Sequence, residues 1–288
     1  SSSSELDRRL PSQGPRARHD VLVSVTQATT RSDFGLLTTA GRLLRGHAVD
    51  LPNIVRTANS PTLQGGTRTD ELFGFDKGER PLAVWALTTT ATLAVGTRQG
   101  VVKRVNPELL NKDAWSVIRL AADDELVGAV ELVNEDDELV FVTSDAHLLH
   151  FPASQVRPQG RAGAGIAGIK LNRGARAIWF GATPRQDAVV VTIAGSSSGL
   201  PGTQPGSVKV TPFEEYPAKG RATSGVRAHR FLRGEDVLLL AWAGPRPPIA
   251  AADSGSPIDL PSATGRRDGS GTPGSQPTAA ISSRIMPH

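Results

Sequence analysis

A strand–turn–strand unit recurs about every fifty residues, and this repeat restricts the possible folds more than any other feature of the sequence. Each unit has an apolar strand, a turn at a small residue, a second strand and a short polar segment. The five units occupy residues 35–52, 92–110, 138–156, 188–217 and 247–265, with turns at Gly41, Gly100, Ala146, Gly206 and Gly255. A period of this length, with strands in every unit, indicates a propeller-like ring of β-sheet blades.

A further apolar run accompanies each of the first four units, at residues 82–87, 126–133, 177–182 and 237–243. The runs are rich in β-forming residues and are broken by Gly and Pro too often for helices. We therefore predict an all-β ring of about five to six four-stranded blades, a β-pinwheel. Four tryptophans are interpreted as core residues: Trp85, Trp115, Trp179 and Trp242.

The two ends of the chain differ from the repeats. Residues 245–288 are rich in Pro, Gly and Ser, which predicts a weak last blade and then a flexible tail or closing strand at 266–288. Near the other end, residues 21–25 predict one strand of a half-blade that closes the ring against the C-terminal strands. The predicted domain is therefore 20–265, preceded by a flexible segment at 1–19.

Charge and composition narrow the classes of function. The chain carries 32 Lys and Arg against 28 Asp and Glu, and a basic balance is one mark of nucleic-acid binding. It has no cysteine, which excludes disulfides and thiolate metal sites. No apolar run is long enough to span a bilayer, so no membrane partner is expected. These features suit a cytoplasmic protein.

Four stretches of the repeats carry a recognisable signature: TTAGRLLRGHAVDLP, GTRQGVVKRV, TSDAHLLHFPASQVRPQGRAGAGIAGIKL and PFEEYPAKGRATSGVRAHRFL. They resemble the blades of the C-terminal domains of the bacterial DNA gyrase A and topoisomerase IV A proteins, over about residues 20–243. The resemblance implies a pinwheel whose blades exchange strands with their neighbours. It also implies a non-catalytic role, in which the outer rim binds and bends duplex DNA and presents it to the catalytic core.

The resemblance also implies which partners and cofactors this domain meets. The catalytic core of the same polypeptide cleaves DNA through a tyrosine, and a partner subunit hydrolyses ATP. We therefore expect no catalytic residue, metal or cofactor here, with ATP and magnesium confined to the parent enzyme. The single tyrosine, Tyr216, lies in PFEEYP and does not match the cleavage motif.

One departure from the gyrase pattern bears on the parent enzyme. Gyrase carries the box Gln-Arg-Arg-Gly-Gly-Lys-Gly, and the nearest stretch here, residues 63–68, reads LQGGTR. It keeps the Gln and the Gly pair and lacks the paired arginines. This favours a relaxing or decatenating enzyme similar to topoisomerase IV over a wrapping gyrase. In the alternative, the box lies upstream of residue 1.

Basic residues recur at equivalent places in successive units, and they form the predicted DNA contact. Lys and Arg neutralise phosphates and release counterions, and glycine turns let backbone N–H groups approach phosphates. Because repetition on a ring places equivalent residues on a common rim, we predict phosphate contacts from twelve residues: Arg42, Arg45, Arg98, Lys103, Arg104, Arg157, Arg161, Lys209, Lys219, Arg221, Arg227 and Arg230. The third unit has His147 and His150 instead, and the fifth has none.

Two other functions are compatible with the repeat. A propeller that contacts only proteins would bind DNA weakly or in a salt-insensitive way. An enzyme built on the central channel would need converging carboxylates or histidines, which the pattern does not show. The G-x-G-x-x-G match at 163–168 is followed by a predicted strand and not by the helix of a dinucleotide site. His147 and His150 lie three apart on a strand, which points them to opposite faces and disfavours a metal site.

Overall fold

The computed structural model of the chain describes residues 15–53, 66–263 and 265–284. Nearly all regular structure in these ranges is β-strand. In chain order the strands are β1 (Asp33–Thr38), β2 (Arg42–His47), β3 (Pro81–Ala86), β4 (Thr92–Thr97), β5 (Val101–Val105), β6 (Ala114–Ser116), β7 (Leu126–Leu132), β8 (Glu138–Thr143), β9 (His147–Pro152), β10 (Pro158–Gln159), β11 (Ile166–Ala167), β12 (Ala177–Thr183), β13 (Ala188–Gly195), β14 (Ser207–Pro212), β15 (Val226–Arg227), β16 (Val237–Pro245), β17 (Pro248–Ala251), β18 (Pro257–Ile258), β19 (Thr272–Pro273) and β20 (Ala280–Ser283). The helical elements are α1 (Thr69–Leu72) and the 3-10 turns Ala48–Asp50, Ala153–Gln155 and Phe213–Glu215.

The strands form five small sheets, one for each predicted repeat. Blade 1 has the order β3-β1-β2-β6, blade 3 the order β12-β8-β9-β15 and blade 4 the order β16-β13-β14-β19. Blade 2 contains β7, β4 and β5, with β10 and β11 both pairing with β5, and blade 5 has the order β18-β17-β20. The predicted all-β ring is thus confirmed; the described residues form five blades, within the predicted five to six, of which blades 1, 3 and 4 have four strands, blade 2 has five and blade 5 has three.

The hairpin turns lie at the five predicted positions, and all five turn residues have a left-handed backbone. Their φ angles are 73° at Gly41, 87° at Gly100, 62° at Ala146, 65° at Gly206 and 78° at Gly255. Tight hairpin turns need positive φ, which glycine adopts at no steric cost. The positive φ at each turn therefore explains why a small residue occurs there in the sequence.

Blades 1 to 4 each receive their outermost strand from farther along the chain. Strand β6 follows the blade 2 hairpin but pairs with β2 of blade 1. In the same way β11 pairs with β5, β15 with β9 and β19 with β14. Because the chain returns to the previous blade before completing its own, neighbouring blades are interlocked, which is the strand exchange expected of a pinwheel.

The core lies between consecutive blades. Strands β3, β7, β12 and β16 pack against one another in succession, so they face the centre of the ring and the opposite sheet edges face outward. One apolar cluster joins blades 1 and 2 through Leu37, Trp85 and Leu126, and another joins blades 2 and 3 through Phe141 and Phe180. Each such buried side chain contributes about 1.5–3 kcal/mol relative to exposure.

The four tryptophans occupy this core. Trp85 and Trp115 are buried, and Trp179 and Trp242 are partly buried against the clusters that join blades 3, 4 and 5. The interpretation of the four tryptophans as core residues is confirmed.

The N-terminal segment completes blade 5. In blades 1 to 4, a residue just after the outer strand donates its N–H to the carbonyl of the turn residue, as Ala228 does to Ala146 at 2.7 Å. In blade 5 that donor is His19, which bonds the Gly255 carbonyl at 2.8 Å. Arg16 adds side-chain bonds to the carbonyls of Ala250 and Ile258. Residues 16–19 therefore occupy the outer position that an exchanged strand fills elsewhere.

The predicted strand at residues 21–25 is not a strand in the structure. Two side chains of this region instead bond the edge of β3: Ser24 Oγ accepts from the Val84 N–H and Thr26 Oγ1 accepts from the Ala86 N–H. Val23 is 73% exposed, so the alternating pattern has no buried face to pair against. The segment does bridge blade 5 and blade 1, but through residues 16–19 and these hydroxyls.

Residues beyond the predicted limits of 20 and 265 also contact the blades, and the strands at the C-terminal end correspond to the closing-strand alternative for 266–288. Residues 272–273 form β19 of blade 4, and residues 280–283 form β20, which pairs with β17 of blade 5. On the N-terminal side, residues 16–19 lie against blade 5. Residues 1–14 and 285–288, the outer parts of the two predicted flexible ends, lie outside the described ranges.

Candidate nucleic-acid interface

Three equivalent loops lie at the outward edges of blades 2, 3 and 4. These rim loops are residues 160–165, 220–225 and 266–271, each directly before an exchanged outer strand. The glycine that ends each loop lies close to the neighbouring strand. A Cβ at Gly165 would be 2.7 Å from the Val102 carbonyl oxygen, and one at Gly225 would be 2.2 Å from the Leu148 carbonyl oxygen. Glycine therefore allows the loops to pack in the same way, with an arginine at the second position of each.

Backbone hydrogen bonds join these loops into a continuous series. The N–H of Arg119 donates to the Gly163 carbonyl at 3.1 Å, that of Lys170 to Thr223 at 2.9 Å and that of Arg230 to Gly269 at 2.9 Å. Each bond places a basic residue of one blade beside the rim loop of the next. We call the resulting set the basic arc: Arg119, Arg161, Lys170, Arg221, Arg230 and Arg267.

The segments that carry the arc are strongly one-sided in charge. Residues 157–176 contain five basic and no acidic residues, and residues 217–233 also contain five basic and none acidic. The corresponding stretch that leads into β6 of blade 1 contains Glu108 and Asp113. Positive charge is therefore concentrated on blades 2, 3 and 4, where repeated turns bring it to one edge.

Six of the twelve predicted contacts are accessible on or beside this arc. Arg157, Lys219, Arg227 and Arg230 are exposed and have no ion pair among the described residues. Arg161 has a 42% exposed side chain with a long contact of 3.8 Å to Glu108. Arg221 is half-buried and its Nη1 donates to the Ala167 carbonyl at 2.5 Å, so this guanidinium is partly engaged with the outer strand of blade 2.

Three further predicted contacts are already engaged with acidic or carbonyl groups. Arg42 binds Glu79 at 2.6 Å, and the Arg42 guanidinium holds the pKa of that carboxyl at about 2 despite its burial. Arg98 is 40% exposed and donates to the Asp123 carbonyl at 2.7 Å. Arg45 is mostly buried and bonds Asp33 at 2.6 Å. These side chains mainly stabilise their own blades.

The prediction that Lys103 and Lys209 contact phosphate from an exposed rim needs correction, because both are buried. Lys103 is 1% exposed and its Nζ donates to the carbonyls of Val117, Arg161 and Gly163 at 2.8, 3.0 and 2.9 Å. Lys209 is 3% exposed and its Nζ donates to the carbonyls of Arg266, at 3.1 Å, and Arg267. Burial lowers the pKa of each ammonium to about 8.

Arg104 is the third correction, and it belongs to a structural series. Its side chain is 5% exposed, pairs with Glu135 at 2.5 Å and lies 3.4 Å from the Ala153 and Val156 carbonyls. Arg45 in blade 1 likewise donates to the carbonyls of Leu110 and Lys112. Both residues lie four positions after the hairpin turn and hold the segment that arrives from the next blade. Neither guanidinium faces an open rim.

His150 is the member of this series in blade 3. Its Nδ1 lies 2.7 Å from Glu138 Oε2 and its Nε2 lies 2.7 Å from the Tyr216 carbonyl oxygen. The ring thus connects Glu138 of its own blade with the segment at Tyr216 that arrives from blade 4. Burial opposes ionisation of Glu138, but His150 and Arg185 outweigh it and hold the pKa of that carboxyl below its usual range. His150 is therefore a structural residue.

Sequence reasoning missed three members of the arc, Arg119, Lys170 and Arg267. The signal was available for Arg267, because RRDGSG at 266–271 aligns without gaps with GRAGAG and GRATSG. Arg119 and Lys170 are harder to find in the sequence. Each lies two residues after the residue whose N–H bonds a turn carbonyl, as Arg230 does, and this equivalence is visible only once the exchanged strands are known.

The described residues contain neither a metal-site cluster nor a membrane-spanning helix. No group of three His, Asp or Glu side chains in them converges as a metal site would require. No helix in these ranges is long and apolar enough to cross a membrane. A cavity of about 270 Å³ lies between blades 1 and 2, and its lining includes Trp85, Trp115, several aliphatic side chains, Glu108 and Arg161.

Comparison with known proteins agrees with this architecture. The family model described as the DNA gyrase C-terminal domain, beta-propeller, matches residues 137–183 and 202–238. The DNA gyrase A protein of Mycobacterium bovis (strain BCG / Pasteur 1173P2) is 31% identical over 223 residues, which cover 74% of this chain and 25% of that protein. The chain thus spans about a quarter of the length of the curated relatives it matches.

Solved structures share the fold at lower sequence identity. The C-terminal domain of DNA topoisomerase IV superposes with a TM-score of 0.72 at 18% identity, over 88% of this chain and 79% of the other. A DNA gyrase A C-terminal domain gives a TM-score of 0.64 at 16% identity, over 90% and 85%. Together with the repeat, the strand exchange and the gyrase relatives, this shows that the chain belongs to the family of DNA gyrase C-terminal β-propeller domains.

Proposed function

We propose that this chain binds duplex DNA without sequence preference along the basic arc and bends it, as the DNA-presenting domain of a type IIA topoisomerase. The observation that carries the proposal is the stepwise repetition of basic residues on the outward edges of blades 2, 3 and 4. The proposed contact covers the rim loops of blades 2, 3 and 4 together with Arg119 of blade 1; the stretch before β6 of blade 1 itself contains Glu108, Lys112 and Asp113.

The chemistry of the arc fits a phosphate backbone. Arginine is always charged at neutral pH and binds phosphate in a bidentate way, and such contacts carry no sequence information. A duplex that follows a curved rim must bend, and bending by 40–90° costs on the order of 1–6 kcal/mol. Six or more charge-assisted contacts offset a cost of that size.

The parent enzyme is part of the same proposal. We infer that the DNA presented by this cytoplasmic domain is acted on by the catalytic core of the same polypeptide, together with a partner subunit that hydrolyses ATP, and that ATP and magnesium are used only in the parent enzyme. The departure of residues 63–68 from the gyrase box supports relaxation or decatenation over supercoiling. Residues 63–65 lie outside the described ranges, so this preference rests on the sequence alone.

Direct binding tests the function most simply. A fluorescent random duplex of roughly one hundred base pairs, shorter than the persistence length of DNA, is titrated with the domain and followed by anisotropy. We expect tight binding at low salt and a loss of affinity in the variant Arg161→Ala/Arg221→Ala/Arg267→Ala. The matched control is Arg80→Ala, which removes an exposed arginine of blade 1 that pairs weakly with Glu125 at 3.4 Å.

The two outcomes separate the proposal from its alternative. A control that binds like the unmodified chain, beside a weakened triple variant, supports the arc. No binding of the unmodified chain at low salt contradicts DNA binding and favours a propeller that contacts proteins.

A further inference from the structure

Two buried lysines lie directly beneath two arginines of the basic arc. Lys103 on β5 and Lys209 on β14 each lie three residues after the hairpin turn of their blade. The Nζ of Lys103 donates to the Arg161 carbonyl at 3.0 Å, and that of Lys209 donates to the Arg267 carbonyl. In each case a buried cation bonds the backbone of the arginine that the rim loop exposes.

The blade itself does not require this lysine. The equivalent position is Leu149 in blade 3 and Leu44 in blade 1, and both are buried in intact sheets. An ammonium buried in place of a leucine costs several kcal/mol unless its hydrogen bonds are satisfied. All three donors of Lys103 are satisfied, and two of the three acceptors belong to the rim loop 160–165. The lysine therefore acts on the loop more than on the blade.

The loop beneath Arg161 is one that needs such support. Residues 160–165 contain Gly160, Gly163 and Gly165, and glycine loses more backbone freedom on ordering than any other residue. A ligand that had to order this loop would bind more weakly by that entropy. A loop fixed during folding leaves the guanidinium ready for phosphate before DNA arrives.

We propose that Lys103 and Lys209 are positioning residues for DNA, which fix the rim-loop backbone so that Arg161 and Arg267 are preorganised toward phosphate. This inference rests on the proposed DNA binding. Neither lysine touches DNA in this account. Blade 3, with Leu149, relies instead on the bonds from Arg221 and Ala222 to the outer strand of blade 2.

The lysines also give the surface a pH dependence that arginine and phosphate diesters cannot supply. Burial lowers the pKa of both to about 8. Lys209 also faces Asp268, which raises its pKa, and Arg267, which lowers it, and it lies near His229. For Lys103 burial is the only cause. A neutral amine has two N–H donors for the three carbonyls around Lys103, so the loop loses a bond above this pH.

The experiment combines DNA affinity with hydrogen exchange in the whole chain. Lys103→Leu gives blade 2 the residue that blade 3 carries, and Lys77→Leu is the control because it removes an exposed lysine of blade 1 with the same change of charge. We expect Lys103→Leu to weaken DNA binding about fivefold and to speed amide exchange in 160–165 but not in 220–225. The control changes neither.

A pH series adds a measurement on the unmodified chain. That chain should lose affinity between pH 7 and pH 9 at constant salt, and Lys103→Leu/Lys209→Leu should be flat over that range. Unchanged affinity and unchanged exchange in Lys103→Leu, with DNA binding intact in the unmodified chain, overturns the inference and leaves the proposed function standing. Failure of the unmodified chain to bind DNA at pH 7 overturns the proposed function, and with it this role of the lysines.

Discussion

His19 donates its backbone N–H to the carbonyl oxygen of Gly255 at 2.8 Å, although 236 positions separate the two residues in the chain. The same bond links an exchanged strand to a hairpin turn in each of the other four blades. The N-terminal segment therefore completes the last blade, and its hold on Gly255 links the two ends of the described chain.

Gly255→Ala should release this segment. A Cβ at this position would meet His19 Nδ1 at 2.0 Å, and the φ of +78° already disfavours any other residue. We expect a loss of about 1–3 kcal/mol in the free energy of unfolding and faster amide exchange in residues 16–20. Urea unfolding and hydrogen exchange measure the two effects.

Gly234→Ala is the matched control for this change. It has a φ of +88° but no atom within 4 Å of the added Cβ, so it carries the backbone strain without the clash. Equal effects of the two variants, with slow exchange retained at residues 16–20, would show that the contact with His19 does not hold the segment.

Glu138→Gln should destabilise blade 3 strongly. Glu138 is fully buried and bonds both His150 and Arg185, so a neutral amide leaves the Arg185 guanidinium without its counter-charge and offers one acceptor oxygen in place of two. Breaking a buried ion pair costs on the order of 3–5 kcal/mol, and a retained amide oxygen moderates this to about 2–4 kcal/mol. Chemical unfolding should show a lower midpoint at an unchanged denaturant slope.

Glu108→Gln gives the comparison, because Glu108 is half exposed and lies 3.8 Å from Arg161. Such a surface pair is worth less than about 1 kcal/mol. If Glu138→Gln were as mild as Glu108→Gln, the buried pair would not stabilise the blade.

His229 should make the fold lose stability in mild acid. It is 2% exposed beside Thr192 and Ser207, and burial, reinforced by Lys209, lowers its pKa from 6.5 to about 4. Between pH 6.5 and pH 4 this histidine is protonated in the unfolded chain and neutral in the folded chain. Its contribution to the free energy of unfolding is therefore complete above pH 6.5 and is lost as the pH falls toward 4. The loss attributable to this residue is up to about 3 kcal/mol.

The contribution of His229 is isolated by difference, since carboxylates also titrate in this range. The stability of His229→Gln, which has no titrating ring, should fall less between pH 6.5 and pH 4 than that of the unmodified chain. If stability fell equally with pH in the two proteins, the pKa of His229 would not be lowered in the folded state.

The hairpins could be predicted because their determinants are local. The left-handed backbone at Gly41, Gly100 and Gly206 requires a small residue at a fixed place between two apolar runs. Ala146 is the one turn residue of the five that is not glycine, and it lies at the same place between its two strands. The repeat thus predicted the blades, while residues 21–25 failed because their alternation of apolar residues has no sheet to bury against.

The exposure of the basic residues could be predicted only in part. When both faces of a strand are covered by other segments, the alternation of apolar and polar residues does not show which side chains are buried. Lys103 and Arg104 are adjacent on β5 and so point to opposite faces, yet both are buried because other blade segments cover each face. Strand exchange then decides which basic residues reach the rim. It brings Lys170 there from a position that no local pattern marks, whereas Arg267 could have been found from the likeness of residues 266–271 to residues 160–165 and 220–225.

The salt dependence of DNA binding tests the central claim most directly. If the six residues of the basic arc each neutralise one phosphate, the logarithm of the association constant should fall with the logarithm of salt concentration with a slope of about −5. The triple variant Arg161→Ala/Arg221→Ala/Arg267→Ala should reduce the magnitude of that slope by about three, and Arg80→Ala should leave it unchanged. A triple variant with the same slope as the unmodified chain would contradict the assignment of the arc as the DNA-binding surface.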